Sequence, residues 1–235
     1  MTSRTDIVFR LGDTEVRGLV HESLSTTPTM LNVHDDEDTS VAAALVNIKH
    51  FGGRIIELAH SGERLIRFKL EGKDFAFDPN RIFSDAGIRA TLEAKSQYTE
   101  AAHAVIKKFA NDYLAHFKLA QEKVILALHN TSDGLFSVQS FVPGDYLVQG
   151  TADIYISPNR RKFDFFYVTE RSFFDACKEG DFNVVLQDNE KVPDDGSLSV
   201  YFAKAGVPYI NIEAEMGRLK EQIEMLAFTR KMIGG

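Results

Sequence analysis

Residues 29–53 read TMLNVHDDEDTSVAAALVNIKHFGG, and this stretch decides the fold class. Thr29–Val33 is an apolar run of strand length. It is followed at about Thr39–Phe51 by a segment in which Val41, Leu45 and Ile48 fall on one face of a helix. Asp38 or Thr39 can cap that helix, and Gly52-Gly53 stops it, because glycine adopts the left-handed backbone that ends a helix without steric cost. A strand, a polar turn, an amphipathic helix and then a second strand at Arg54–Ala59 make up the repeating unit of an α/β sheet with helices on its faces.

The pattern continues on the C-terminal side. Leu65–Leu70 and Asp74–Phe77 form a hairpin around Glu71-Gly72-Lys73 and run directly into DPNRIF at 78–83. A long helix is expected over Ser96–Ala120, where Val105, Phe109, Tyr113 and Phe117 make an apolar stripe. Val124–Leu128 is continuously apolar, as in a strand buried on both faces. Further strands are expected at Tyr146–Tyr155, Phe165–Thr169, Val184–Leu186 and Tyr209–Glu213, with helices at Ser172–Lys178, Leu198–Ala205 and Arg218–Met232. No repeat, linker or low-complexity tract divides the 235 residues, so a single domain over 1–235 is expected.

Composition narrows the partners. The formal charge is −7 with no basic block, which argues against nucleic acid. No apolar run approaches the ~20 residues that cross a bilayer, and MTSRTDIVF at the N-terminus lacks a charged leader followed by an apolar stretch. The lone Cys177 cannot form an intramolecular disulfide and reads as a buried structural thiol. A cytoplasmic protein with no membrane partner is expected; a periplasmic location stays open if the chain is a processed or trimmed form. The oligomeric state is unknown from sequence.

In α/β sheets ligands bind beyond the carboxyl ends of strands. Three polar clusters stand there: His34-Asp35-Asp36-Glu37, His129-Asn130 and Glu213-Ala214-Glu215. A His and a Glu three residues apart on a turn can face one ion, and His129 adds a ligand from another strand, which leaves a fourth position for water. A His₂Glu set is that of a hydrolytic zinc site, and Glu213 is the candidate to take the proton of the attacking water. An alternative is that the acidic run is only the favoured N-terminal turn of a helix, with His34 a partly buried loop residue. That alternative leaves His129 unexplained. No metal role is assigned to His103 and His116 in the long helix, His50 near a helix end, or His21 and His60 in loops. HDDEDTS lacks the glycine and the oxygen series of a calcium-binding EF-hand loop.

Taken in order, HDDE at 34–37, DPNRIF at 78–83, HN at 129–130 and INIE at 210–213 resemble the motif series of the zinc carboxypeptidase A-like metallohydrolases, a superfamily that includes aspartoacylase and succinylglutamate desuccinylase. The resemblance spans most of the chain and implies a three-layer α/β/α sandwich with a mixed, mostly parallel sheet. It implies zinc held by His34, Glu37 and His129, with Asn80 and Arg81 binding a substrate carboxylate, which a guanidinium grips bidentately. Without the other motifs DPNR reads as a turn. Glu213 is implied as general base, preferred over Glu215 because Asn211-Ile212-Glu213 matches the family's strand end. Arg64, preferred slightly over Arg67, is implied to polarise the scissile carbonyl. His129 is followed by Asn rather than Ser, and the chain is shorter than the digestive carboxypeptidases, so side-chain specificity does not carry over. The implied activity is hydrolysis of an amide bond next to a free carboxylate, in a peptide or cell-wall peptide. The alternatives are deacylation of an N-acyl amino acid and a catalytically silent domain that binds peptide ends. NRRKFDFF at 159–166 reads as an exposed basic turn, with pocket lining as its alternative.

Overall fold

Strands β1 (Ser3–Leu11) and β2 (Thr14–Ser23) pair antiparallel across a turn in which Gly12 takes a φ of 57°. This hairpin was not among the expected elements, and it moves His21 from a loop into a strand. Phe9, Leu11, Val16 and Val20 turn inward, while the outer half of β1 is exposed because β1 is an edge of the sheet. The computed structural model describes residues 3–132, 134, 136–145 and 147–234.

Strand β3 (Thr29–Asn32) is wholly buried and leads through His34–Glu37 into helix α1 (Asp38–Phe51), which Gly52 ends with φ 78°. Strand β4 (Gly53–Ala59) follows, then the separate hairpin of β5 (Ile66–Leu70) and β6 (Lys73–Phe77), and a short 3₁₀ turn at Pro79–Arg81. The remaining elements are α2 (Asp85–Lys95), α3 (Glu100–His116), β7 (Ile125–Thr131), β8 (Thr151–Tyr155), β9 (Phe165–Val168), α4 (Arg171–Glu179), β10 (Asn183–Gln187), α5 (Leu198–Lys204), β11 (Tyr209–Glu215) and α6 (Leu219–Gly234).

Among the described residues nine strands form one mixed sheet in the order β1-β2-β4-β3-β7-β11-β9-β10-β8. Its centre, β4-β3-β7-β11, is parallel, so these strands all end at one edge. Antiparallel neighbours flank the centre on both sides. Ile48 of α1, Phe174 of α4 and Leu226 of α6 pack in one apolar cluster against the sheet, and Leu92 of α2, Phe109 of α3 and Phe202 of α5 pack in another against its opposite face. The chain is therefore a three-layer α/β/α sandwich. Cys177 is buried in the first of these clusters, and burial pushes its thiol pKa up.

Three expected boundaries move. The long helix of 96–120 begins only at Glu100, where the Thr99 hydroxyl caps it by accepting from the Ala102 N–H at 3.1 Å, and α2 precedes it under a similar cap from Ser84 to Gly87. The expected strand from Tyr146 starts at Thr151 after a turn at Val148–Gly150, and Tyr146 lies outside the described residues. The cap position of α1 falls at Glu37 rather than at Asp38 or Thr39, and Glu37 makes no capping bond with its side chain. Asn130 of β7 supplies it instead: its Oδ1 accepts from the Ser40 N–H at 2.8 Å, the bond an N-cap side chain would make.

Candidate metal centre and adjoining cavity

Parallel pairing sets the site's dimensions. His129 and Glu213 are register partners on β7 and β11, so their side chains stand side by side on one face, and His34 leaves the end of β3 next door. Glu37 comes back to His34 because the turn closes with the Glu37 N–H donating to the His34 carbonyl at 3.2 Å.

His34, Glu37 and His129 are all buried and form a group able to hold a metal ion. His34 Nδ1 lies 2.9 Å from Glu37 Oε1, His129 Nδ1 lies 2.9 Å from Glu37 Oε2, and the two Nδ1 atoms are 3.1 Å apart. Ligands at ~2.0–2.2 Å on a tetrahedral zinc are roughly 3.3 Å from one another, so the three need to part by only a few tenths of an ångström. The donor chemistry agrees, two imidazole nitrogens and one carboxylate converging on one point. With Nδ1 turned inward, His34 presents Nε2 to Asp78 Oδ1 at 2.9 Å, and that carboxylate fixes the ring and its tautomer. His129 has no such support: its Nε2 is buried without a hydrogen-bond partner among the described residues.

The charges couple tightly. Burial works against a charge on His34, but Glu37 and Asp78 outweigh it and raise the pKa to about 9. Burial works against ionisation of Glu37 and Asp78 too, yet the facing imidazoles hold both well below the usual carboxylate range. Glu213 behaves oppositely: burial raises its pKa and the nearby Glu37 adds to this, with only partial relief from His129, Asn211 and Arg64. Its carboxylate thus holds a proton more readily than an ordinary glutamate does, the direction that favours a proton acceptor.

A cavity of about 480 Å³ opens over this group. His34, Glu37, His129, Arg64, Asn80, Arg81 and Glu213 all line it, so the sequence-predicted site residues are brought together. Arg64 Nη1 donates to Glu37 Oε1 at 2.9 Å; Arg67 instead pairs with Glu63 on the surface and is absent from the cavity wall. The loop carrying Arg64 is tied to the ligand turn by Asp35, whose Oδ2 accepts from the His60 N–H at 2.6 Å and the Gly62 N–H at 2.7 Å. Asn80 Oδ1 accepts from the Leu198 N–H at 3.0 Å, which turns its Nδ2 to the remaining side. Glu215 lies outside the cavity, bound by Arg161 at 2.7 Å, and the NRRKFDFF segment is a turn that runs into β9 at Phe165, with its Arg160 paired to Glu224 and lying over Phe182.

Sequence reasoning passed over Asp78, although it too stands at a strand end, one residue past β6. It also passed over Asn130 as a tie. The Asn130 Nδ2 donates to the Ala214 carbonyl and to Gln222 Oε1, and Gln222 Nε2 donates to the His129 carbonyl.

No family model and no curated protein matches the chain. Among solved structures it is similar to a Shewanella denitrificans protein provisionally described as a metallopeptidase, at 11% identity over 97% of this chain and 82% of that one, with a TM-score of 0.46. A Shewanella baltica protein described in the same terms is similar at 12% identity over 97% of this chain and 85% of that one, with a TM-score of 0.45. Succinylglutamate desuccinylase of Vibrio parahaemolyticus is similar at 12% identity over all of this chain and 68% of that one, with a TM-score of 0.41.

Proposed function

We propose that the protein is a zinc-dependent hydrolase that cleaves an amide bond next to a free carboxylate, as a carboxypeptidase acting on a peptide or cell-wall peptide. The observation that carries this is the meeting of a buried His₂Glu group with a raised-pKa glutamate and two arginines in one cavity. Held by His34, Glu37 and His129, a zinc ion would supply Lewis-acid polarisation of the scissile carbonyl and acidify water.

The chain's own residues have separate tasks. Arg81 grips the substrate carboxylate, and the Asn80 Nδ2 adds a donor beside it. Arg64, partly exposed at the cavity wall, donates to the carbonyl oxygen as negative charge gathers there. Glu213 accepts a proton from the attacking water as the C–O bond forms and passes it to the amine as the C–N bond breaks.

The test is a chromatographic screen of zinc-loaded protein against pooled peptides, cell-wall peptides and acyl amino acids, with zinc content measured in parallel. A released C-terminal residue supports the carboxypeptidase reading; a released small acid points to N-acyl amino acid deacylation. Protein that binds no stoichiometric zinc, or whose turnover survives chelation, overturns the proposal.

A further inference from the structure

The wall of the cavity carries a further charged pair. Asp195 faces Arg81, with Oδ2 3.6 Å from the guanidinium Nε, and both side chains remain about two-fifths exposed to the cavity, at 45% and 40%. Tyr209 and the proposed base Glu213 line the same cavity.

Asp195 is held toward Arg81 by its own loop. Its Oδ1 accepts from the Ser197 N–H at 3.0 Å, and the loop is pinned by the Gly196 carbonyl accepting from the Phe83 N–H and by the Leu198 N–H on Asn80. Gly196 and Gly87 pack so closely that a Cβ built on Gly87 would lie 2.4 Å from the Gly196 Cα. A ligand carboxylate taking Arg81 would therefore leave Asp195 in place and unneutralised, two negative groups sharing one guanidinium. A ligand that brings an amine along with its carboxylate completes an alternating array instead.

We infer that Arg81 and Asp195 form a subsite for a substrate end group bearing a cationic amine within a few bonds of its carboxylate, and that Asp195 selects against neutral and acidic end groups. This rests on the proposed function for the role of Arg81 alone. Specificity of this kind comes from repulsion of the wrong ligand as much as from attraction of the right one.

The probes are N-acetyl-L-2,4-diaminobutyrate, its neutral near-isostere N-acetyl-L-norvaline and N-acetyl-L-glutamate, titrated calorimetrically into the zinc-loaded full chain at pH 7.5. The diaminobutyrate derivative should bind about five- to tenfold more tightly than the norvaline one, with glutamate weakest. Asp195→Asn keeps the acceptor for Ser197 and should erase the preference while leaving norvaline binding unchanged or stronger. Arg81→Ala should weaken all three. Equal binding of the first two by the wild type, a preference that survives Asp195→Asn, or no binding of any probe at 10 mM overturns the subsite. Because no turnover is required, a protein that discriminates but hydrolyses nothing sinks the hydrolase reading and leaves the subsite standing.

Discussion

Replacing Asn130 by Ala removes a bolt between three elements of the site. The Oδ1 bond to Ser40 is the α1 cap, worth about 1 kcal/mol. The two Nδ2 bonds contribute about 1 kcal/mol each, and their loss strands Gln222 Oε1, which is fully buried, at an added cost of about 1 kcal/mol. The total is roughly 3–4 kcal/mol, a fall in Tm of about 6–16 °C for a chain of this size. Urea titrations with and without zinc are the assay. Gln222→Ala breaks part of the same network, so the double variant should lose less than the sum of the singles. Because Asn130 also holds the helix start that carries Glu37, zinc affinity should weaken in the same variant. A stability loss under about 1 kcal/mol, or strict additivity with Gln222→Ala, refutes the idea that this one amide joins α1, β11 and α6.

Asp78→Ala should remove the acceptor that fixes the His34 ring and its tautomer, lowering zinc affinity about 10–100-fold in a chelator competition; an affinity within twofold of wild type would remove Asp78 from the site. Glu213→Gln should retain zinc while kcat falls on the order of 10²–10⁴-fold, whereas Glu215→Gln, already bound by Arg161, should cost far less; the reverse order would exchange their roles. Without metal, the raised His34 pKa of about 9 stabilises the fold fully below 6.5 and ceases to do so as pH rises through 9. The depressed Glu37 and Asp78 stabilise it above the ordinary carboxylate range and stop doing so as pH falls through their own low pKa values. Metal-free protein should therefore lose stability between about pH 6.5 and 9. Excess zinc should flatten that decline, since the ion replaces the proton, and thermal melts showing the same slope with and without zinc would contradict the coupling.

The parallel centre was legible because buried strands such as Val124–Leu128 are unbroken apolar runs, and the ligands follow from the rule that such strands end at a crevice. Glu71 and Gly72 take the positive φ angles, 52° and 76°, that the hairpin reading required. The edge hairpin was not legible, because half of β1 faces water and its alternation is diluted by Ser3 and Thr5 in the inward register and by Val8 on the outer face. Helix α2 was hidden by Gly87 in its first turn, a residue kept small by the approach of Gly196, 109 positions away in sequence. In the site, the residues proposed to bind metal or substrate stood in local motifs. Those that hold them, Asp78 on His34 and Asn130 on Ser40, act across 44 and 90 residues, and no local pattern reports such a pairing.

The register of β7 with β11 works as a fixed gauge. His129 and Glu213 are separated by one interstrand step, about 4.8 Å, a distance that backbone hydrogen bonds set and that no loop can alter. Much of the rest of the cavity wall comes from connecting segments, among them Phe136, Leu147 and Asp195. The chain is thus divided into a part where a one-residue slip in β11 would carry Glu213 to the far side of the sheet, and a part that could be lengthened, shortened or exchanged wholesale. Relatives or designed variants should inherit the reaction through their strands and acquire new substrates through their loops.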